Sequence, residues 1–138
     1  MMHCRERLDG QWGIVDISDC ADAVGALASS LNEINPARVM ITGGSAGGYA
    51  VLQSLCSERS ETYAGGTSSY GISDLFQLAK YTHKFESHYM DKLLGGRPED
   101  IPDIYKARSP LYQADKINVP LLVSLFCSRL GYVDTAVN

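Results

Sequence analysis

Gly43-Gly44-Ser45-Ala46-Gly47 sets a serine between glycines, directly after the apolar run Val39-Met40-Ile41 and before the small and apolar stretch 46–56. The pattern fits G-x-S-x-G, in which a sharp strand-to-helix turn lifts a serine hydroxyl above the sheet edge as a nucleophile. Such a turn needs small neighbours, so that strand and helix can approach. The helix start beneath it offers N–H groups and a positive dipole end, and the Ala46 N–H is the natural first donor to an oxyanion. Two other readings fit the same glycines. A glycine-rich strand-to-helix turn also binds phosphate, although G-x-G-x-x-G and a following Gly-Lys-Ser/Thr are both missing here. A purely structural tight turn is the third.

A serine nucleophile needs a base, and the elbow fold supplies its partners in the chain order Ser, then Asp or Glu, then His. The histidines are His3, His83 and His88. His3 precedes the serine. His83 and His88 fall on or between helices, where surface or packing roles suit them better. Asp74 and His83 satisfy the order, but an acid and a base on one short helical segment converge poorly on the elbow. The residues therefore give a nucleophile without a convincing general base.

The elements that must position Ser45 follow from periodicity. Apolar residues from Ile17 through Val24 and Leu31 to Ile34 predict a helix over 16–34, with Asp16 or Ser18 at its start and Asn35-Pro36 at its end. Residues 38–42 read as a strand buried on both faces, and 46–56 as a helix. Residues 63–71 run from a strand into a loop, and Ser73-Asp74 cap a helix through Leu75, Leu78 and Ala79. A further helix over 85–94 stops at Gly95-Gly96. Residues 97–103 form a loop, 104–117 a mixed segment broken by Pro110, and 119–126 an apolar strand. This alternation predicts an α/β fold with a mainly parallel sheet.

Composition narrows the function classes. A length of 138 residues is one domain's worth of chain, and 45% hydrophobic with 20% charged residues is ordinary for a globular protein. A net charge of −4 gives no basic footprint for nucleic acid or an anionic membrane surface. No apolar run is long enough to span a bilayer, and the first residues lack the apolar core of a secretory signal, so a cytoplasmic location is the expectation. Cys4, Cys20, Cys56 and Cys127 form no C-x-x-C. They are expected as reduced, buried thiols, with neither a metal site nor a disulfide framework. No metal or organic cofactor is implied.

Five ordered blocks carry a resemblance: "RERLDGQWGIVDISDC", "RVMITGGSAGGYAVLQSL", "YAGGTSSYGISDL", "THKFESHYMDKLLGG" and "YKARSPLYQADKINVPLLV". Together they resemble the catalytic domain of the prolyl oligopeptidase family of serine peptidases, in its acylaminoacyl-peptidase and dipeptidyl-aminopeptidase-like branch. The resemblance covers residues 5–123 and leaves 124–138 as a divergent tail. It implies a partial α/β-hydrolase fold, a peptide substrate, Ser45 as acylating nucleophile and the Ala46 N–H as oxyanion donor. Arg5, Trp12, Gly13 and Asp16 match the block leading into the first helix, where Trp12 reads as core packing. Asp74 and Arg108-Ser109-Pro110 match family positions best read as capping and loop anchoring. The stretch Phe85-Glu86 with Tyr89 reads the same way.

The departures from the family pattern set further expectations. The family carries a β-propeller domain, early hydrolase strands and an H-G-G-type oxyanion segment before this region. It carries a catalytic aspartate in Q-G-x-x-D-x-x-V, and then a histidine, after it. Here Gly131-Tyr132-Val133-Asp134-Thr135-Ala136-Val137 echoes that aspartate motif a few residues late. Asp134 is therefore either the family acid displaced by an insertion or a chance match, and the family histidine has no counterpart. The expectation is a catalytic-domain fragment truncated at both ends over 1–138, with a tail from Ser124 that packs poorly. Its alternatives are an inactive fragment without its base, open to self-association through exposed sheet edges, and a non-peptidase, esterase-like hydrolase.

Overall fold

The computed structural model describes residues 6–29, 34–82 and 89–125. Helix α1 (Val15–Ser29) buries Ile17 and Ala21. Asp16 lies inside its first turn, and its carboxylate accepts the Gly13 N–H at 2.7 Å. Burial raises the Asp16 carboxyl above its ordinary value, with the hydrogen bonds from Gly13, Ile17 and Ile14 opposing. Pro36–Arg38 form a 3₁₀ turn, because the Asn35 side chain accepts the Ala37 N–H at 3.0 Å. Strand β1 (Met40–Gly44) therefore starts two residues after Arg38.

Helix α2 (Ala46–Cys56) follows at once, over the span its small and apolar residues predicted. Strand β2 (Gly65–Ser69) and helix α3 (Leu75–Thr82) come next. Asp74 caps α3, its Oδ1 accepting the Phe76 N–H at 2.8 Å and the Gln77 N–H at 3.4 Å. Helix α4 (Tyr89–Leu94) matches the last part of the 85–94 expectation, the earlier residues lying outside the described segments. Gly95, at φ +94°, ends it. Helix α5 (Pro102–Ala107) falls partly where a loop was expected, since proline at the first helical position presets φ. A 3₁₀ segment over Pro110–Lys116 and strand β3 (Leu121–Ser124) complete the described chain.

The strands form one parallel sheet in the order β1-β2-β3, with Gly44 opposite Ser69 and Ser69 opposite Ser124. Helix α2 packs on both β1 and β2 and is buried almost all round from Gly48 to Cys56. It joins two apolar clusters. Tyr49 packs with Trp12, Leu75, Leu94 and Tyr105, whereas Val51 and Leu55 pack with Tyr63 against Ile41, Val119 and Leu121. The Gly-Gly-Thr-Ser-Ser of β2 lets the helix come close: a Cβ on Gly66 would lie 2.9 Å from Leu55 Cδ1 and 3.0 Å from Val51 Cγ1.

Strand β1 differs from the expectation of burial on both faces, and the apolar β3 is also largely exposed. Met40 and Thr42 of β1 are exposed, as are Leu122 (64%) and Val123 (48%) of β3. Each outer strand pairs with the central strand on one side only, and α2 packs over β1 and β2. Cys20 also corrects the cysteine expectation, because it sits exposed on α1 while Cys56 is buried. Among the described residues no helix is long and apolar enough to cross a membrane.

Candidate functional site

Ser45 stands between the last residue of β1 and the first of α2, at φ +53° and ψ −119°. A positive φ on a residue with a Cβ is strained by on the order of 1–3 kcal/mol and persists only where its surroundings hold it. Here they do so from both sides. The Ser45 N–H donates to the Ser69 carbonyl at 3.0 Å, across the end of the sheet, and the Ser45 carbonyl accepts the Tyr49 N–H at 2.9 Å as α2 begins. The residue is exposed.

The glycines explain how the turn closes. A Cβ on Gly43 would lie 2.5 Å from the Gly47 carbonyl carbon and 3.0 Å from its Cα, both backbone atoms. A Cβ on Gly48 would lie 2.6 Å from Gly71 Cα, where the Ser68 hydroxyl donates to the Gly48 carbonyl at 3.1 Å. Gly47 differs, since a Cβ there would meet nothing within 4 Å. Close approach thus demands glycine at 43 and 48, while 47 has room for a methyl group.

Ala46 is the first residue of α2, and the first-turn N–H groups of a helix have no acceptor within it. Its N–H therefore lies at the positive end of α2, beside the exposed Ser45. Among the described residues no group of three or more His, Cys, Asp or Glu side chains is gathered as a metal site. His3, His83, His88 and Asp134 lie outside the described residues, as does the tail beyond Leu125. Asp74 is buried at the start of α3 in its capping role.

Beneath the turn, α2 is fixed by a buried polar tether that local sequence patterns do not reveal. The Tyr49 ring packs tilted against Trp12, centroids 4.4 Å apart, and its hydroxyl donates to the Arg108 carbonyl at 3.0 Å. Arg108 donates through one guanidinium nitrogen to the Gly10 and Trp12 carbonyls at 3.0 and 3.1 Å. Ser109 donates to the Tyr105 carbonyl at 2.7 Å and accepts the Leu75 N–H at 3.0 Å. The anchoring role expected of Arg108-Ser109-Pro110, and the packing role expected of Trp12, are what the structure displays. Burial pushes the Tyr49 phenol well above its ordinary value, with Asp16 adding to the rise and Arg108 opposing it.

Tyr70 shares a positive φ with Ser45, and its sequence context gave no reason to expect it there. Among the described residues they are the two non-glycines at positive φ, Tyr70 at +43°. Its N–H donates to the Ser124 carbonyl at 2.6 Å, and its ring lies over Gly44.

Residues 4–125 match the model of the prolyl oligopeptidase family. Among solved structures, a puromycin hydrolase shares 45% identity with a TM-score of 0.77, over 86% of this chain and 18% of its own. A puromycin-hydrolyzing peptidase of Mycobacterium tuberculosis shares 41% identity with a TM-score of 0.79, over 88% of this chain and 18% of its own. The acylaminoacyl peptidase of Pyrococcus horikoshii shares 25% identity with a TM-score of 0.71, over 87% of this chain and 19% of its own. The chain thus spans under a fifth of the length of these structures. No curated protein sequence matches it.

Proposed function

Because the chain belongs to the prolyl oligopeptidase family, we propose that Ser45 is the nucleophile of a serine-type hydrolase whose substrates are peptides. The observation that carries this reading is the strained, exposed serine at the β1–α2 turn, with Ala46 opening the helix behind it. The acylaminoacyl and dipeptidyl-peptidase-like branch supplies the substrate class, and the similar puromycin-hydrolyzing peptidase is likewise a peptidase by name.

In this reading Ser45 Oγ attacks the substrate carbonyl carbon and gives up its proton to a base, which the family pattern makes a histidine. The carbonyl electrons move onto oxygen, and the Ala46 N–H donates to that oxyanion. Collapse expels the amine, which leaves with the proton, and an acyl ester remains on Ser45. Water then hydrolyses the ester and restores the hydroxyl. Asp134 is the candidate acid that would orient the base. The rigid frame under α2 suits this chemistry, because a nucleophile displaced by about 1 Å loses on the order of a hundredfold in rate.

The test compares a peptidyl p-nitroanilide with p-nitrophenyl acetate as substrates for the full chain and for Ser45→Ala. The peptidase reading expects amide cleavage that falls to background, by on the order of 10⁶-fold, in Ser45→Ala. Ester cleavage without amide cleavage selects the esterase-like alternative. Cleavage by neither, with the fold intact, selects the inactive chain.

A further inference from the structure

The second strained residue at this end of the sheet has no role in the chemistry above. Tyr70 directly follows β2, as Ser45 follows β1, and the two turns are adjacent: Ser69 accepts the Ser45 N–H at 3.0 Å, and Tyr70 donates its own N–H to Ser124 at 2.6 Å. The outer edge of the Tyr70 ring covers the residue before the nucleophile. A Cβ on Gly44 would lie 2.8 Å from the phenol oxygen, 2.9 Å from Cζ and 3.4 Å from Cε2. Yet Tyr70 is 50% exposed, and it is no part of either apolar cluster.

A large aromatic side chain held at positive φ, outside the core and half open to solvent, is unfavourable for folding on both counts. Glycine or asparagine would satisfy the same backbone at lower cost. What the conformation achieves is placement: the ring stands at the carboxyl end of the parallel strands, against Gly44 and beside the exposed Ser45. Ligands of open α/β sheets bind outside this end.

We propose that the Tyr70 ring is a substrate-positioning wall of the Ser45 site, against which the peptide flanking the attacked carbonyl packs. The inference rests on the reading of Ser45 as a peptide-directed nucleophile and adds to it a residue that holds substrate rather than reacts. The contact is made by the ring, so phenylalanine replaces tyrosine, whereas glycine and asparagine keep the backbone and remove the wall.

The test measures binding, not turnover, so that it stands apart from whether Ser45 fires. The full chain carrying Ser45→Ala is titrated with N-acetyl-Gly-Gly-Phe amide, following amide shifts by NMR, and compared with added Tyr70→Phe, Tyr70→Gly or Tyr70→Asn. Binding that moves the Gly44 amide, is kept within twofold by Tyr70→Phe and is weakened about tenfold by Tyr70→Gly and Tyr70→Asn is the expected result. Both weakened variants should melt at or above the temperature of their parent, because each relieves the positive φ. Equal affinity in all variants, no peptide binding, or affinity and melting temperature falling together would overturn the proposal. The last outcome would make Tyr70 a structural residue only. Failure of the parent enzyme to cleave amides, with this binding pattern intact, would instead count against the Ser45 chemistry alone.

Discussion

Two glycine-to-alanine substitutions, each two residues from Ser45, should have opposite effects. In Gly43→Ala the new methyl would sit 2.5 Å from the Gly47 carbonyl carbon, against an ordinary separation of about 3.5 Å. One backbone must therefore move by about 1 Å, and neither can move freely. Gly43 is paired in β1 opposite Ser68, and Gly47 lies in the first turn of the buried α2. Overpacking of this kind costs about 1–3 kcal/mol. In Gly47→Ala the methyl meets nothing within 4 Å, and replacing a helical glycine gains up to about 1 kcal/mol. The two variants should then differ by about 1–4 kcal/mol, or roughly 3–16 °C in Tm for a domain of this length. Thermal and urea unfolding followed by circular dichroism measure the gap directly. A Gly43→Ala protein as stable as the parent, or a Gly47→Ala protein that loses more than about 1 kcal/mol, would refute the packing argument for the turn.

Arg108→Met should destabilise by about 2–4 kcal/mol in urea unfolding, because it leaves the Gly10 and Trp12 carbonyls without their charged donor. Tyr49→Phe should cost less, about 1 kcal/mol, since one neutral bond to the Arg108 carbonyl is lost while the ring stays on Trp12. Alkaline pH should weaken the fold through Cys56, whose thiol is pushed up to about 11 by burial, with Asp115 adding and Lys116 opposing. The folded state holds that proton more tightly than the unfolded chain, so stability is full below about pH 9 and falls as pH rises towards 11. The loss should be on the order of 1–2 kcal/mol, and Cys56→Ala should flatten that limb of the stability–pH curve.

The strand-to-helix turn at Ser45 was legible because its signal is local. Strand, glycines, serine and helix follow one another without a break from Met40 to Cys56, and the glycine spacing encodes the close approach that the backbone makes at Gly43 and Gly48. The helix over Ala46–Cys56 and the parallel order were legible for the same reason. What escaped is non-local or masked by composition. Arg108 bonds to carbonyls 96 and 98 positions away, which no window along the chain reveals. Tyr70 takes a positive φ with a side chain that does not advertise it. Leu122 and Val123 look like core residues, yet their burial depends on what lies against that face of the sheet, and apolarity alone does not say. Pro102 falls within the loop expected over 97–103, yet it starts a helix.

The reading of Ser45 as nucleophile is tested most directly by covalent capture. The folded chain and its Ser45→Ala variant are treated with a fluorophosphonate, and the adduct is located by intact-mass and peptide-fragment mass spectrometry. One phosphonyl group per chain, carried on Ser45 and missing from Ser45→Ala, is the expected result. A folded chain that takes up no adduct, or takes it up equally when Ser45 is alanine, would contradict it.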